Sequence, residues 1–187
     1  MQFKKRPGMR SGGFTLIELL ATSAILSILM SFAIPAFSRW VPGYKLRGAS
    51  RELYSDFAMA RMTAVNQKGE CALVFDKNNN RYEIWACGPN KIFENGSGDD
   101  APLKTVELSR YGNGIRYGHG GASSPIGETF GDDITFSWNR LVFDSGGMLK
   151  GFPGYVYLQN NRNASYALGV LGSGVISLKR WTGTKWQ

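Results

Sequence analysis

Gly13-Phe14-Thr15-Leu16-Ile17-Glu18-Leu19-Leu20 opens an apolar run that continues through Phe37, with no charge between Glu18 and Arg39. A helix crossing a bilayer needs about 20 consecutive apolar residues, and this run is long enough. Lys4, Lys5, Arg6 and Arg10 precede it, with no acidic residue among them. Basic residues before a span hold that end on the cytoplasmic side, which places the rest of the chain across the membrane. An ordinary secretory signal has an apolar region of only about 7–15 residues. Ala33 and Ala36 imitate the small residues of its cleavage site. That reading, like a plain uncleaved anchor, gives Glu18 no role, although a carboxylate within a span costs about 2.5–3.5 kcal/mol and needs a partner.

The motif Gly-Phe-Thr-Leu-Ile-Glu-Leu from Gly13 to Leu19 resembles the class III signal of type IV prepilins. The resemblance implies a leader over 1–13 that a prepilin peptidase removes by cutting after Gly13. It implies a methylated Phe14 as the new amino terminus and an assembly and transmembrane helix over 14–38. Glu18 would pair with the free Phe14 amine of a neighbouring subunit. The implied location is the bacterial inner membrane, with a periplasmic head over 39–187.

The chain has 187 residues, so about 150 follow the span, enough for one domain with a real core. The formal net charge is +8; subtracting the four basic residues of the leader leaves +4. That excess is too mild to be a nucleic-acid-binding composition by itself.

Past the membrane exit, Leu46, Ala49, Leu53, Phe57, Ala60 and Ala64 recur at spacings of three and four, predicting an amphipathic helix over 44–68. Pro35 predicts a kink, and Pro42-Gly43 a second bend or a short break. Gly69, just after Lys68, is the expected stop. Short strands follow: Cys71–Asp76, Arg81–Ala86, Leu103–Leu108, Ile115–Tyr117, Ile134–Trp138, Leu141–Asp144, Tyr155–Gln159, Tyr166–Leu171 and Val175–Trp181. Gly88–Ala101 and Gly118–Asp133 are the two long loops. A helix followed by antiparallel strands predicts an α+β domain, a long bent N-terminal helix packed on a β-sheet head, which is the pilin-like arrangement that the prepilin resemblance implies.

Centring the Asn-rich turn on Asn79 sets Val74 opposite Ile84, Leu73 opposite Trp85 and Cys71 opposite Cys87. Opposed cysteines in an exported domain predict a Cys71–Cys87 disulfide, with two free thiols as the alternative. Two thiols and the distant His119 do not make a zinc site. Asp99-Asp100 and Asp132-Asp133 lack EF-hand spacing for calcium. His119 reads as an exposed loop residue with no catalytic set around it. No enzyme and no cofactor are expected.

The stretch Leu53 to Val65, with Ala60-Arg61, resembles the GspH/FimT family of minor pseudopilins and minor pilins. So do Phe143-Asp-Ser-Gly146, Gly154 to Leu158, and Ala167 to Leu178. The resemblance implies a minor pseudopilin of a type II secretion system, acting in protein export with other pseudopilin subunits. The alternative it implies is a FimT-type minor pilin of a type IV pilus, some of which bind DNA. DNA-binding members carry a Gly-Arg-x-Arg pattern; here Val175 stands at its first arginine. From Ser145 onward there is no acidic residue, while Lys150, Arg162, Lys179, Arg180 and Lys185 alternate with Tyr155, Tyr157, Tyr166, Trp181 and Trp186. Two readings stand. Lys179, Arg180 and Lys185 form a DNA surface with stacking aromatics, or the aromatics face the core and the cations face water. Trp181 and Trp186 are also candidates for docking on a neighbouring subunit.

Overall fold

The computed structural model describes residues 13–187. The expected leader therefore lies, up to residue 12, outside the described residues. One compact unit ends at Arg39 and the other is Trp40–Gln187.

Helix α1, Leu16–Gln67, is assigned without interruption. It passes through Pro35, Pro42 and Gly43, so of the bend or short break expected at Pro42-Gly43 the break does not occur. Its apolar N-terminal stretch is long and apolar enough to cross a membrane, and none of that stretch is buried. The hydroxyls there are satisfied within the helix. Thr22 donates to the Leu19 carbonyl, Ser23 to Leu20, Ser27 to Ser23 and Ser31 to Ile28. Such back-bonding removes the cost of carrying polar groups in an apolar setting.

In the second unit all six residues of the predicted face, Leu46 to Ala64, are buried. α1 then ends in a Schellman motif. The Gly69 amide donates to the Ala64 carbonyl and the Lys68 amide to Val65. Lys68, not Gly69, takes the left-handed conformation, with φ 51°. Gly69 is needed for space, because a Cβ there would lie 2.4 Å from Cys87 Sγ.

Two antiparallel four-stranded sheets complete the head. The first has the order β3-β2-β1-β5, from β1 (Cys71–Asp76), β2 (Arg81–Ala86), β3 (Ala101–Glu107) and β5 (Arg140–Phe143). The second has the order β4-β6-β7-β8, from β4 (Arg116–Tyr117), β6 (Gly154–Gln159), β7 (Ser165–Val170) and β8 (Ile176–Arg180). The α1 face, Leu73, Phe75, Ile84, Val106, Leu141 and Phe143 of the first sheet, and Val156, Leu158, Leu168 and Val170 of the second form one core. Phe75 stacks on Phe136 with centroids 6.1 Å apart, and Phe57 meets both rings.

Two expectations are corrected. The β1–β2 register pairs Leu73 with Ile84 and Cys71 with Ala86, one residue away from the register expected from a turn centred on Asn79. The turn is fixed by Asp76. Its carboxylate accepts from the Asn79 amide at 3.0 Å and from the Asn79 side chain at 2.6 Å, closing a loop over 77–80. These bonds hold the Asp76 carboxyl below its ordinary range. Cys87 falls beyond the strand, and both cysteines are free thiols, so the expected Cys71–Cys87 disulfide is not present. Burial, reinforced by the nearby Cys87, pushes the Cys71 thiol up to about 12.

Ile134–Trp138 is not a strand. Ile134 makes one bridge to Val156, Phe136 turns into the core, and Ser137–Asn139 forms a 3-10 turn. Trp138 and Asn139 both adopt positive φ there.

Arg61 links α1 to two turns. Its Nε donates to the Gly147 carbonyl at 2.8 Å. A Cβ on Gly174, at φ +76°, would lie 2.0 Å from that same oxygen, so only glycine fits beneath the pair. Arg61→Ala is expected to destabilise the head by about 2 kcal/mol, the cost of orphaning a carbonyl from a charged donor. A denaturant titration of the detergent-solubilised chain checks this.

Candidate functional site

Thr15 caps α1. Its Oγ1 accepts from the Glu18 amide at 3.2 Å and its carbonyl from the Leu19 amide at 3.2 Å. This sets Glu18 at the third helical position of a Thr-x-x-Glu capping sequence, where an acid complements the positive end of the helix. Phe14 is 83% exposed, and Leu16, Ile17, Leu19 and Leu20 beside it are exposed too. Among the described residues no cation pairs with Glu18. The tip thus presents a carboxylate within an uncovered apolar surface.

Lys179 and Arg180 do not converge. Lys179 lies opposite Ala167 and Arg180 opposite Tyr166 in the β7–β8 ladder, so alternation sends their side chains to opposite faces. Lys185 sits in a terminal turn, where its carbonyl accepts from the Thr182 amide. The interleaved aromatics are largely engaged within the head. Tyr157 and Trp181 are buried, and Trp186 Nε1 donates to the Ser124 carbonyl of the chain's own loop at 2.8 Å. Tyr157 packs against Phe130, Tyr155 and Trp186. In this structure Trp181 and Trp186 close the outer side of the second sheet.

Residues 8–34 match the prokaryotic N-terminal methylation motif, and residues 49–174 match the family described as type II transport protein GspH. The chain belongs to the GspH family. It joins the prokaryotic N-terminal methylation motif to a pilin-like α+β fold. Two crystal forms of the type IV minor pilin FimU from Pseudomonas aeruginosa PAO1 share the fold. One has a TM-score of 0.54 at 17% identity, covering 79% of this chain and 96% of that one. The other has a TM-score of 0.50 at 17% identity, covering 76% and 97%. The minor pseudopilin EpsH of the Vibrio cholerae type 2 secretion system aligns with a TM-score of 0.44 at 11% identity, covering 72% and 95%. No curated protein matches.

Other polar residues of this GspH-family head serve packing. His119, whose side chain is 41% exposed, also stacks on Phe130 with centroids 4.0 Å apart and places Nδ1 2.8 Å from Asp133 Oδ1. Lys77 Nζ lies 3.0 Å from the other oxygen of Asp133. Burial pushes the Asp133 carboxyl up, but the bonds from His119 and Lys77 outweigh it and hold the group below its usual range. Asp100 accepts from the Glu94 and Gly96 amides, and Asp99 from the Asn90 amide. These acids organise the loop before β3. Among the described residues no three candidate ligands group around a metal position.

Sequence reasoning passed over Asp56, which is only 3% exposed on the packed face of α1. Its carboxylate accepts from Tyr82 Oη at 2.6 Å and from Lys104 Nζ at 2.7 Å. Lys104 also donates to Glu52, which receives Arg110 at 2.9 Å. The signal was present, since Asp56 lies three residues after Leu53 and four before Ala60, squarely on the apolar stripe.

Proposed function

We propose that this chain is a minor pseudopilin of a type II secretion system, assembling into a periplasmic pseudopilus for protein export. In this reading residues 1–13 are a leader removed by prepilin peptidase, and 14–38 form the inner-membrane anchor that becomes the filament core. Residues 39–187 form the periplasmic head. Gly13 is the cleavage residue, Phe14 the methylated terminus, and Glu18 the partner of the Phe14 amine of an adjoining subunit. The observation that carries the reading is the uncovered apolar half of α1, headed by Phe14 and Glu18 and joined to a GspH-type head. An apolar surface of that size is stable only in lipid or against other helices.

A second reading, a minor pilin of a type IV pilus, is favoured by the fold shared with FimU. DNA is not part of either proposal. Lys179 and Arg180 point to opposite faces of β8, and the aromatics Tyr157 and Trp181 are buried.

Deletion in the native host separates the two. Loss of exoprotein secretion with normal pili is expected, together with recovery of the tagged chain cross-linked to other pseudopilins. Loss of pili with normal secretion would select the pilus reading, and no defect in either would defeat both.

A further inference from the structure

A cleft of about 200 Å³ opens in the second unit. Trp40, Tyr44 and Arg47 of α1 line it on one side, and Ala164, Tyr166 and Arg180 on the other. No acidic residue contributes to its wall. Arg47 and Arg180 are exposed, and among the described residues neither makes an ion pair or a side-chain hydrogen bond. Two guanidiniums on one small cleft repel each other unless an anion lies between them. Guanidinium is also the group best shaped to take phosphate oxygens two at a time.

The aromatic wall says where that anion comes from. Trp40 and Tyr44 stack, with centroids 5.2 Å apart, yet remain 63% and 64% exposed. Stacked, exposed Trp and Tyr rings suit the layer between hydrocarbon and water. Trp40 follows the apolar run by three residues. Arg47 follows it by ten. Side chains on a helix lean toward its N-terminus, which carries Arg47 toward the Trp40 end of the cleft.

We infer that this cleft binds the phosphate of an anionic phospholipid headgroup, gripped by Arg47 and Arg180, with Trp40 and Tyr44 against the glycerol and upper acyl chain. The inference rests on the membrane-anchored reading proposed above.

The test uses the full chain reconstituted in phosphatidylcholine vesicles containing phosphatidylglycerol. Flotation first asks whether the chain inserts. Native mass spectrometry of the released chain then counts the lipid retained. The expected result is phosphatidylglycerol enriched over phosphatidylcholine by at least about tenfold, the equivalent of one net charge-assisted hydrogen bond. Arg47→Gln with Arg180→Gln should abolish the enrichment, and Arg47→Lys with Arg180→Lys should restore part of it. Both arginines are exposed, so an unchanged melting curve is expected for each variant. A chain that does not float would overturn the membrane reading and this inference with it. A chain that floats but shows no preference, or an unchanged preference in the double Gln variant, would overturn this inference alone. Displacement of the lipid by millimolar inorganic phosphate would reassign the cleft to free phosphate. Loss of filament incorporation with lipid retention intact would make it a contact for an acidic residue of a neighbouring subunit, and the lipid assignment would fall.

Discussion

A Glu18→Ala chain is expected to insert and to be cleaved after Gly13, yet to be depleted from filaments by roughly a hundredfold. The argument begins with cost. A carboxylate within a span is unfavourable by up to about 2.5–3.5 kcal/mol, the value at the centre, and a cationic amine brought into the same surroundings carries a penalty of its own. When Phe14 of one subunit meets Glu18 of another, each supplies the other's counter-charge. Removing the carboxylate leaves the amine unpaired among apolar helices, and a loss of about 3 kcal/mol is a factor of about 150 in incorporation. Fraying of the helix start does not explain such a loss. The Thr15 hydroxyl is bonded to the Glu18 backbone amide, which the alanine variant keeps. Glu18→Gln keeps the shape without the charge and is expected to share the defect. The measurement is an immunoblot of sheared filament and membrane fractions, with the mature size reporting cleavage. Wild-type amounts of the alanine variant in the filament fraction would remove the pairing role.

Much of the head was legible because burial follows periodicity. The stripe from Leu46 to Ala64 was readable as a helix face, since only a 3.6-residue period puts those six side chains on one side. β1 and β2 were readable as a hairpin from an Asn-rich turn between alternating runs. Their register was not, because Lys77-Asn-Asn-Asn80 offers several centres of similar propensity. The choice among them is made by Asp76, whose carboxylate takes the Asn79 amide. A shift of one residue was enough to move Cys87 off the ladder and Ala86 into its place. Ile134–Trp138 misled in another way. Ile134 and Phe136 alternate as strand residues do, and both are buried, but the chain turns directly afterwards. A tryptophan at positive φ is uncommon enough that no local propensity announces it. The basic tail shows a third limit. Charge along the chain was visible, but Lys179 and Arg180 are neighbours on a strand, and neighbours on a strand face apart.

Asp56→Ala is the substitution in the head with the largest expected cost, about 4 kcal/mol, the loss typical of breaking a buried charged pair from one side. The side chain is buried on the packed face of α1, and two donors converge on it from the first sheet, Tyr82 of β2 and Lys104 of β3. Without the carboxylate, the Tyr82 hydroxyl is left buried with no acceptor. Burial, aided by the bond to Asp56, pushes that phenol far above its ordinary range, so it cannot escape by ionising. Lys104 keeps Glu52, which limits the damage on its side. Asp56→Asn keeps an acceptor for Tyr82 and should cost less than alanine. The pH dependence has a definite sign. Burial alone would lower Lys104, but the bonds to Asp56 and Glu52 outweigh it and raise the group above its ordinary value. Its contribution is therefore fully present below the unfolded lysine value of about 10.4 and is lost as pH rises through the higher folded value. Melting temperatures of the solubilised chain between neutral and strongly alkaline pH should fall for the wild type above that point. They should fall less for Lys104→Met, which has no such charge to lose. An Asp56→Ala chain that melts with the wild type at neutral pH would show that the contacts of Leu53, Phe57 and Ala60 hold α1 to the sheets without this network.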